Sequence, residues 1–401
     1  MTSRHYNFDT TTERKDPNAV AQHGFKSYIF TEAQVAEFSY PDEELIPLWI
    51  ADMAFPAAPE IVEAIKQRLD NPIFGYTKIL DDSFYRAFVN WTRSRYGWEF
   101  AQEELLTTSG VIPALYSLIE YICEADDKVI TFTPAYSYFK RSADYHNIDI
   151  VYSTLLNEQN EYRMDFNDFR KKASDPKVKV CIFCHPHNPT GRLWTEEELL
   201  DFGNICIENN ITVISDEIHC DITRAGVVHT PLAKLFPDAD NIITCMAPSK
   251  TFNLAGFLFA NVIIPDEKLR RLWKRKHYLF ENPLSLAAAQ AAYEEGGSWL
   301  SELSTYLDNN FEFVKKTLAK QLPKAVFKVP EATYFAWLDM RAYFPEKENL
   351  TYYFAKHTGV IIEGGNMFVA DAEGFMRINL ACPQSVLKQA LERICNHCQT
   401  M

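Results

Sequence analysis

The feature that most constrains this chain is a series of short β-branched and apolar runs, most of them ending in a polar cluster. The runs are Leu105 to Thr108, Lys128 to Phe132, Ile148 to Tyr152, Val178 to Cys184, Ile211 to Ser215 and Asn241 to Cys245. Stretches with apolar residues at three- and four-residue spacings accompany them, among them Pro59 to Leu69, Phe84 to Tyr96 and Ile112 to Ile122, and these read as helices. Strands that alternate with helices predict an α/β fold around a mainly parallel sheet covered on both faces. In such sheets ligands bind at the carboxyl ends of the strands.

After about Pro283 the pattern changes. A long helical region, Leu284 to Leu322, precedes separated strand candidates at Ala325 to Val329, Tyr334 to Asp339, Val360 to Ile362 and Phe375 to Asn379. The expectation is an N-terminal arm at 1–45, a large domain at 46–285 and a small α+β domain at 286–401, with the arm packing on other parts of the molecule. No repeat or low-complexity tract interrupts this plan.

The 401 residues carry a formal net charge of −14, which opposes a nucleic-acid partner. The apolar runs fall far short of the roughly 20 residues a membrane span needs. The first residues contain no apolar stretch of the kind that opens a secretory signal. The expected setting is therefore cytoplasmic. Nine cysteines include two pairs at CxxC spacing. Cys181 and Cys184 lie on one strand, where period 2 sends them to opposite faces, and Cys395 and Cys398 lie on a C-terminal helix. Free core thiols, with no metal, are the expected outcome.

Polar groups follow the strands at the edge where a site belongs. His187-Asn188-Pro189-Thr190-Gly191 follows one run, Asp216-Glu217-Ile218-His219 another, and Pro248-Ser249-Lys250-Thr251-Phe252-Asn253 a third. Ser109-Gly110-Val111 follows Thr108 and opens a helix. Asn188 stands 28 residues before Asp216, and Asp216 stands 34 before Lys250, distances that suit one strand–helix unit each.

In that order, these three motifs resemble the fold-type I pyridoxal 5′-phosphate (PLP) enzymes of the class I/II aminotransferase superfamily. Further segments are similar to its cystathionine β-lyase-like branch, the MalY/PatB group of carbon–sulfur lyases. They are Pro47 to Met53, Phe74-Gly75-Tyr76, Ala247 to Gly256, Glu331 to Asp339 and Arg377 to Pro383. The resemblance runs from about Pro47 to Pro383 and implies a seven-stranded sheet in the large domain.

The resemblance also implies roles. Lys250 would carry the cofactor, and a desolvated amine beside other cations loses its proton easily. Asp216 would pair with the ring nitrogen, and Asn188 with the ring's phenolic oxygen. Gly110 and Val111 would offer backbone N–H groups to the phosphate, with a hydroxyl from Ser249. Tyr136 would stack on the ring, and Tyr76 would reach the phosphate of a neighbouring subunit, implying a homodimer with shared sites. His219 reads either as a ring partner behind Asp216 or as a core histidine. Arg377 would grip an α-carboxylate, with Asn188 and Ala51 beside the substrate; in an apolar strand an unpaired charge would be costly.

Two positions depart from the pattern: Leu258 stands where many aminotransferases have a phosphate-binding arginine, and Ala54 where the lyase branch often has an acid. Tyr28 and Phe30 of the arm are assigned to the side-chain pocket. The implied activity is β-elimination of a thiol from L-cystathionine or a related cysteine conjugate. An aminotransferase uses the same groups, and family likeness alone selects the lyase. A PLP-bound regulator with low turnover is the third reading.

Overall fold

The computed structural model describes residues 6–12, 16–277, 280–345 and 349–400. Seven strands form the main sheet: β1 (Leu105–Thr108), β2 (Lys128–Thr133), β3 (Asp149–Thr154), β4 (Val178–Cys184), β5 (Thr212–Asp216), β6 (Ile242–Met246) and β7 (Ala260–Ile263). Their spatial order is β1-β7-β6-β5-β4-β2-β3. β7 pairs antiparallel with both β1 and β6, while the other contacts are parallel. Six strands therefore point one way, and their carboxyl ends share one edge.

Both faces of this sheet are covered, as its β-branched composition requires. On one face Val129, Val180, Ile182, Ile214 and Ile243 pack under α1 (Val111–Ile122). On the other, Ile130, Phe132, Cys181, Phe183 and Val213 meet Phe169, Leu199 and Phe202. Cys181 and Cys184 thus point to opposite faces, as the period of the strand predicts.

The predicted helical region from 284 to 322 is two helices, α2 (Pro283–Glu295) and α3 (Gly297–Gln321). Gly296 divides them where a Cβ would stand 2.4 Å from the Phe252 ring. α3 packs with the helices Leu350–Thr358 and Gln384–Gln399 around a second core containing Phe311, Leu318, Phe354, Leu391 and Ile394. Beneath them lies a three-stranded antiparallel sheet of β8 (Phe335–Asp339), β9 (Glu363–Gly364) and β10 (Phe375–Asn379), with β10 in the centre. The strand expected at Ala325 to Val329 does not form. Only an isolated bridge between Val326 and Asp339 is present, because the segment reaches the edge of β8 for a single pairing.

Among the described residues no helix is long and apolar enough to cross a membrane. The arm packs against the second core's periphery, with Phe25, Phe30 and Trp49 meeting Ala355 and Ile361. Phe30 is a core residue there and Tyr28 is exposed. Ile46–Pro47 pairs in parallel with Val360–Ile361. A second bridge joins the two sheets: Phe368–Val369 pairs antiparallel with Ala135–Tyr136. Beside it, the Thr133 and Thr154 hydroxyls donate to Asp371 at 2.5 and 3.0 Å.

The turn after β4 is held by a left-handed glycine. Gly191 has φ +71°, and a Cβ there would lie 2.5 Å from Pro330 Cβ and 2.7 Å from the Ala332 carbonyl oxygen. Gly191→Ala is expected to destabilise the protein by about 2–4 kcal/mol through backbone strain and overlap. Chemical denaturation would measure this, and a loss below about 0.5 kcal/mol would mean that the turn relaxes freely.

Candidate functional site

Lys250 sits on a single helical turn, Pro248–Thr251, directly after β6. Its ammonium donates to the Ala51 carbonyl at 2.8 Å. Loss of hydration lowers its pKa to about 8, with Arg377 pushing the same way and Asp52, Asp216 and Glu363 opposing. The next residue anchors the turn. Thr251 donates to the buried Asp221 carboxylate at 2.8 Å, which also receives Trp91 Nε1 at 3.0 Å and pairs with Arg95 at 2.9 Å. This places the amine on a fixed support.

Asp216 closes β5 and is buried, accepting from the Ile218 N–H at 3.3 Å. Burial raises its pKa to about 7, against the pull of Lys250. Its neighbour Glu217 points away from Lys250 into a separate network, accepting from Ser215 Oγ at 2.8 Å and bonding His229 at 2.6 Å. His219 is buried and held neutral, its pKa lowered to about 3 by desolvation and then by Lys250 and Arg377. Its Nδ1 finds no hydrogen-bond partner among the described residues, and neither does the buried Tyr334 hydroxyl.

Asn188 follows β4, buried, with its Oδ1 accepting from Arg377 Nη1 at 2.9 Å. Arg377 lies mid-way along β10 and is only 2% exposed. Its Nη2 donates to the Trp49 carbonyl at 3.0 Å and pairs with the Glu363 carboxylate. The Phe335 ring lies 3.9 Å from the guanidinium carbon and the Phe368 ring 5.2 Å. Such a charge is tolerable inside a protein because each partner shown is an acceptor or a π-face.

The segment from Trp49 to Phe55 is fixed by its backbone. Asn379 donates to the Ile50 and Asp52 carbonyls at 2.8 and 2.6 Å. Asn253 donates to the Met53 and Phe55 carbonyls at 3.1 and 2.8 Å and accepts from the Met53 N–H. With Lys250 on Ala51 and Arg377 on Trp49, side chains from both sheets hold one strip of chain.

Gly110 is the N-cap of α1 and supplies no capping side chain, leaving the first N–H groups, Val111's included, open to an anion. Ser249 stands beside Lys250 on its turn. Tyr136 is half-buried, its ring 5.3 Å from that of Tyr138, and burial raises its phenol. Tyr76 lies apart, 85% exposed on an apolar patch with Ile73, Phe74, Leu80 and Phe280. That patch adjoins β1: the Glu281 amide donates to Thr77, and Thr107 donates to the Glu281 carboxylate at 2.6 Å.

The structure therefore gathers Lys250, Asp216, Asn188, His219, Ala51 and Arg377 at one sheet edge. Sequence reading missed Glu363 and assigned no role to Asn253 or Asn379. Asn253 stood inside a quoted motif and Asn379 beside Arg377. The groups present suit PLP: a low-pKa amine, a buried carboxyl ready to pair with a ring N–H, an amide, and an uncapped helix N-terminus.

Comparison with known proteins gives the same picture. The family model described as aminotransferase class I and II matches residues 43–394. Cystathionine β-lyase PatB of Bacillus subtilis is 39% identical over 356 residues, covering 88% of this chain and 92% of that protein. A PLP-bound C-S lyase from Staphylococcus hominis, solved with the inhibitor L-cycloserine, is 46% identical, with a TM-score of 0.96 and 99% of each chain covered. PLP-containing cystalysin from Treponema denticola is 29% identical, with a TM-score of 0.92, and covers 99% of this chain and 100% of its own.

The lowered pKa of Lys250 has a kinetic signature. Loading of cofactor-free protein with PLP, followed by visible absorbance, should accelerate as pH rises through about 8 and then level off, because the unprotonated amine attacks. Acceleration that continues towards 10.5 would mark an ordinary solvated lysine. Lys250→Ala should give no band for attached cofactor at any pH.

Proposed function

The chain belongs to the aminotransferase class I and II family, and within it we propose a PLP-dependent carbon–sulfur β-lyase acting on L-cystathionine or related S-conjugates of L-cysteine. The observation that carries this reading is the gathering of Lys250, Asp216, Asn188 and Arg377 at one edge of a fold shared nearly end to end with a PLP-bound C-S lyase.

PLP, when bound, supplies an electron sink for the bond-breaking at the amino acid's α-carbon. Asp216 would hold a proton at the ring nitrogen, and Asn188 would donate to the ring oxygen. Arg377 grips the α-carboxylate and so fixes which bond at Cα faces Lys250. The Lys250 amine removes the Cα proton. The bond between Cβ and sulfur then breaks with its electron pair leaving on sulfur, which takes up a proton as the thiol. Water completes the reaction, giving pyruvate and ammonia.

The Gly110 and Val111 amides with Ser249 form the phosphate seat. The reading makes the exposed patch around Tyr76 a homodimer interface, with Tyr76 reaching the phosphate of the other subunit. The exposed apolar side chains around Tyr76 support that assembly. The nine free cysteines suit a reducing cytoplasm.

The test uses PLP-loaded protein and L-cystathionine with no keto acid. Equal amounts of pyruvate and free thiol are expected. Their absence, with amino transfer appearing once a keto acid is added, would move the chain to the aminotransferases. Arg377→Lys keeps the charge but loses the planar fork, and should raise KM for L-cystathionine about 10–100-fold with bound-cofactor absorbance unchanged. An unaltered KM would remove Arg377 from the substrate site.

A further inference from the structure

The Arg377–Glu363 pair is the strongest feature that the reaction leaves unused. A guanidinium offers a carboxylate two edges for paired hydrogen bonds, Nε with Nη2 and Nη1 with Nη2. Nη2 belongs to both. It already donates to the Trp49 carbonyl at 3.0 Å and stands in ion-pair contact with the Glu363 carboxylate. Nε, by contrast, has no hydrogen-bond partner among the described residues. A ligand carboxylate that binds by two bonds must therefore displace an acceptor from Nη2. Trp49 belongs to the clamped strip and cannot leave. Glu363 is a side chain at the edge of the small sheet and can.

We propose that Glu363 is the resident occupant of the carboxylate grip: an amino acid's α-carboxylate replaces it on Arg377, and Glu363 leaves as the neutral acid after taking one proton from solvent. This rests on the reading of Arg377 as the carboxylate-binding residue. The charged and titratable groups that face Glu363 are Arg377 from β10, Lys250 from the turn after β6 and Tyr136 from the bridge between the sheets. Burial already raises the Glu363 pKa, and the Arg377 charge is what chiefly holds it down. Once a ligand neutralises that cation, a second carboxylate in the same small space is unfavourable in its charged form. The exchange keeps net charge in the pocket constant, since one anion enters and one is neutralised.

The probe is propionate, a carboxylate with no amine and so no reaction at Lys250. Calorimetry on the PLP-loaded enzyme in two buffers of different ionisation enthalpy reads proton uptake directly. At neutral pH the wild type should take up close to one proton per propionate. Glu363→Gln should take up none and bind about tenfold tighter, the affinity losing its fall with rising pH. Equal uptake in both proteins, no uptake in the wild type, or weaker binding by Glu363→Gln would each overturn the proposal; the last would make Glu363 a mere brace for Arg377. Arg377→Lys run in the same titration should bind weakly. If it binds like the wild type, the carboxylate grip itself is misplaced, a failure distinguishable from that of Glu363. Because propionate does not turn over, the outcome is independent of whether the enzyme eliminates or transaminates.

Discussion

A single buried positive charge sets the relation between the parts of this protein. Arg377 is a strand residue of the small sheet, yet its bonds go to Asn188 after β4, to the Trp49 backbone and to Glu363. Leaving such a charge without partners costs about 3–5 kcal/mol. The small sheet therefore has one favourable seating against the large one, the seating that satisfies this guanidinium. Asn379, two residues along the same strand and on the same face, adds two backbone bonds to the same strip of chain.

Burial also tunes the titrating groups. Asp216 is raised to about 7, Lys250 lowered to about 8 and His219 lowered to about 3, with desolvation the first cause each time. Without cofactor, each is pushed towards its uncharged form. Asp216, raised above its usual 3.8, binds a proton more tightly in the folded protein. Its stabilising contribution is complete below about 3.8 and is lost as pH rises through about 7. An N–H donor placed against that carboxylate would restore its charge and remove the penalty, and would so add to folding stability.

Much of this was legible in the chain. The strand ends announced themselves because β-branched runs stop at polar clusters, and the parallel topology then forces those clusters to one edge. Asn188, Asp216, Lys250 and the Gly110 cap follow from that rule together with family likeness. The opposite facing of Cys181 and Cys184 follows from period 2 alone. Glu363 was invisible because its meaning depends on pairing between β9 and β10, which only the folded sheet reveals. The strand expected at 325–329 failed for a related reason: local composition favours extension, but only one residue finds a ladder partner. His219 stayed ambiguous in sequence because a histidine's environment is set by what packs over it, here Tyr334 and Phe335.

The short ladder between Phe368–Val369 and Ala135–Tyr136 has a mechanical consequence. Phe368 covers the Arg377 guanidinium, and its backbone partner across the ladder is Tyr136. The Asp371 carboxylate, tied to Thr133 and Thr154, stiffens the same joint. The hood over the guanidinium and the tyrosine at the sheet edge are thus one linkage, so neither can shift without dragging the other. A substitution that displaces Phe368 must also tilt Tyr136, so the cover over the guanidinium and the set of that tyrosine form a single inherited trait.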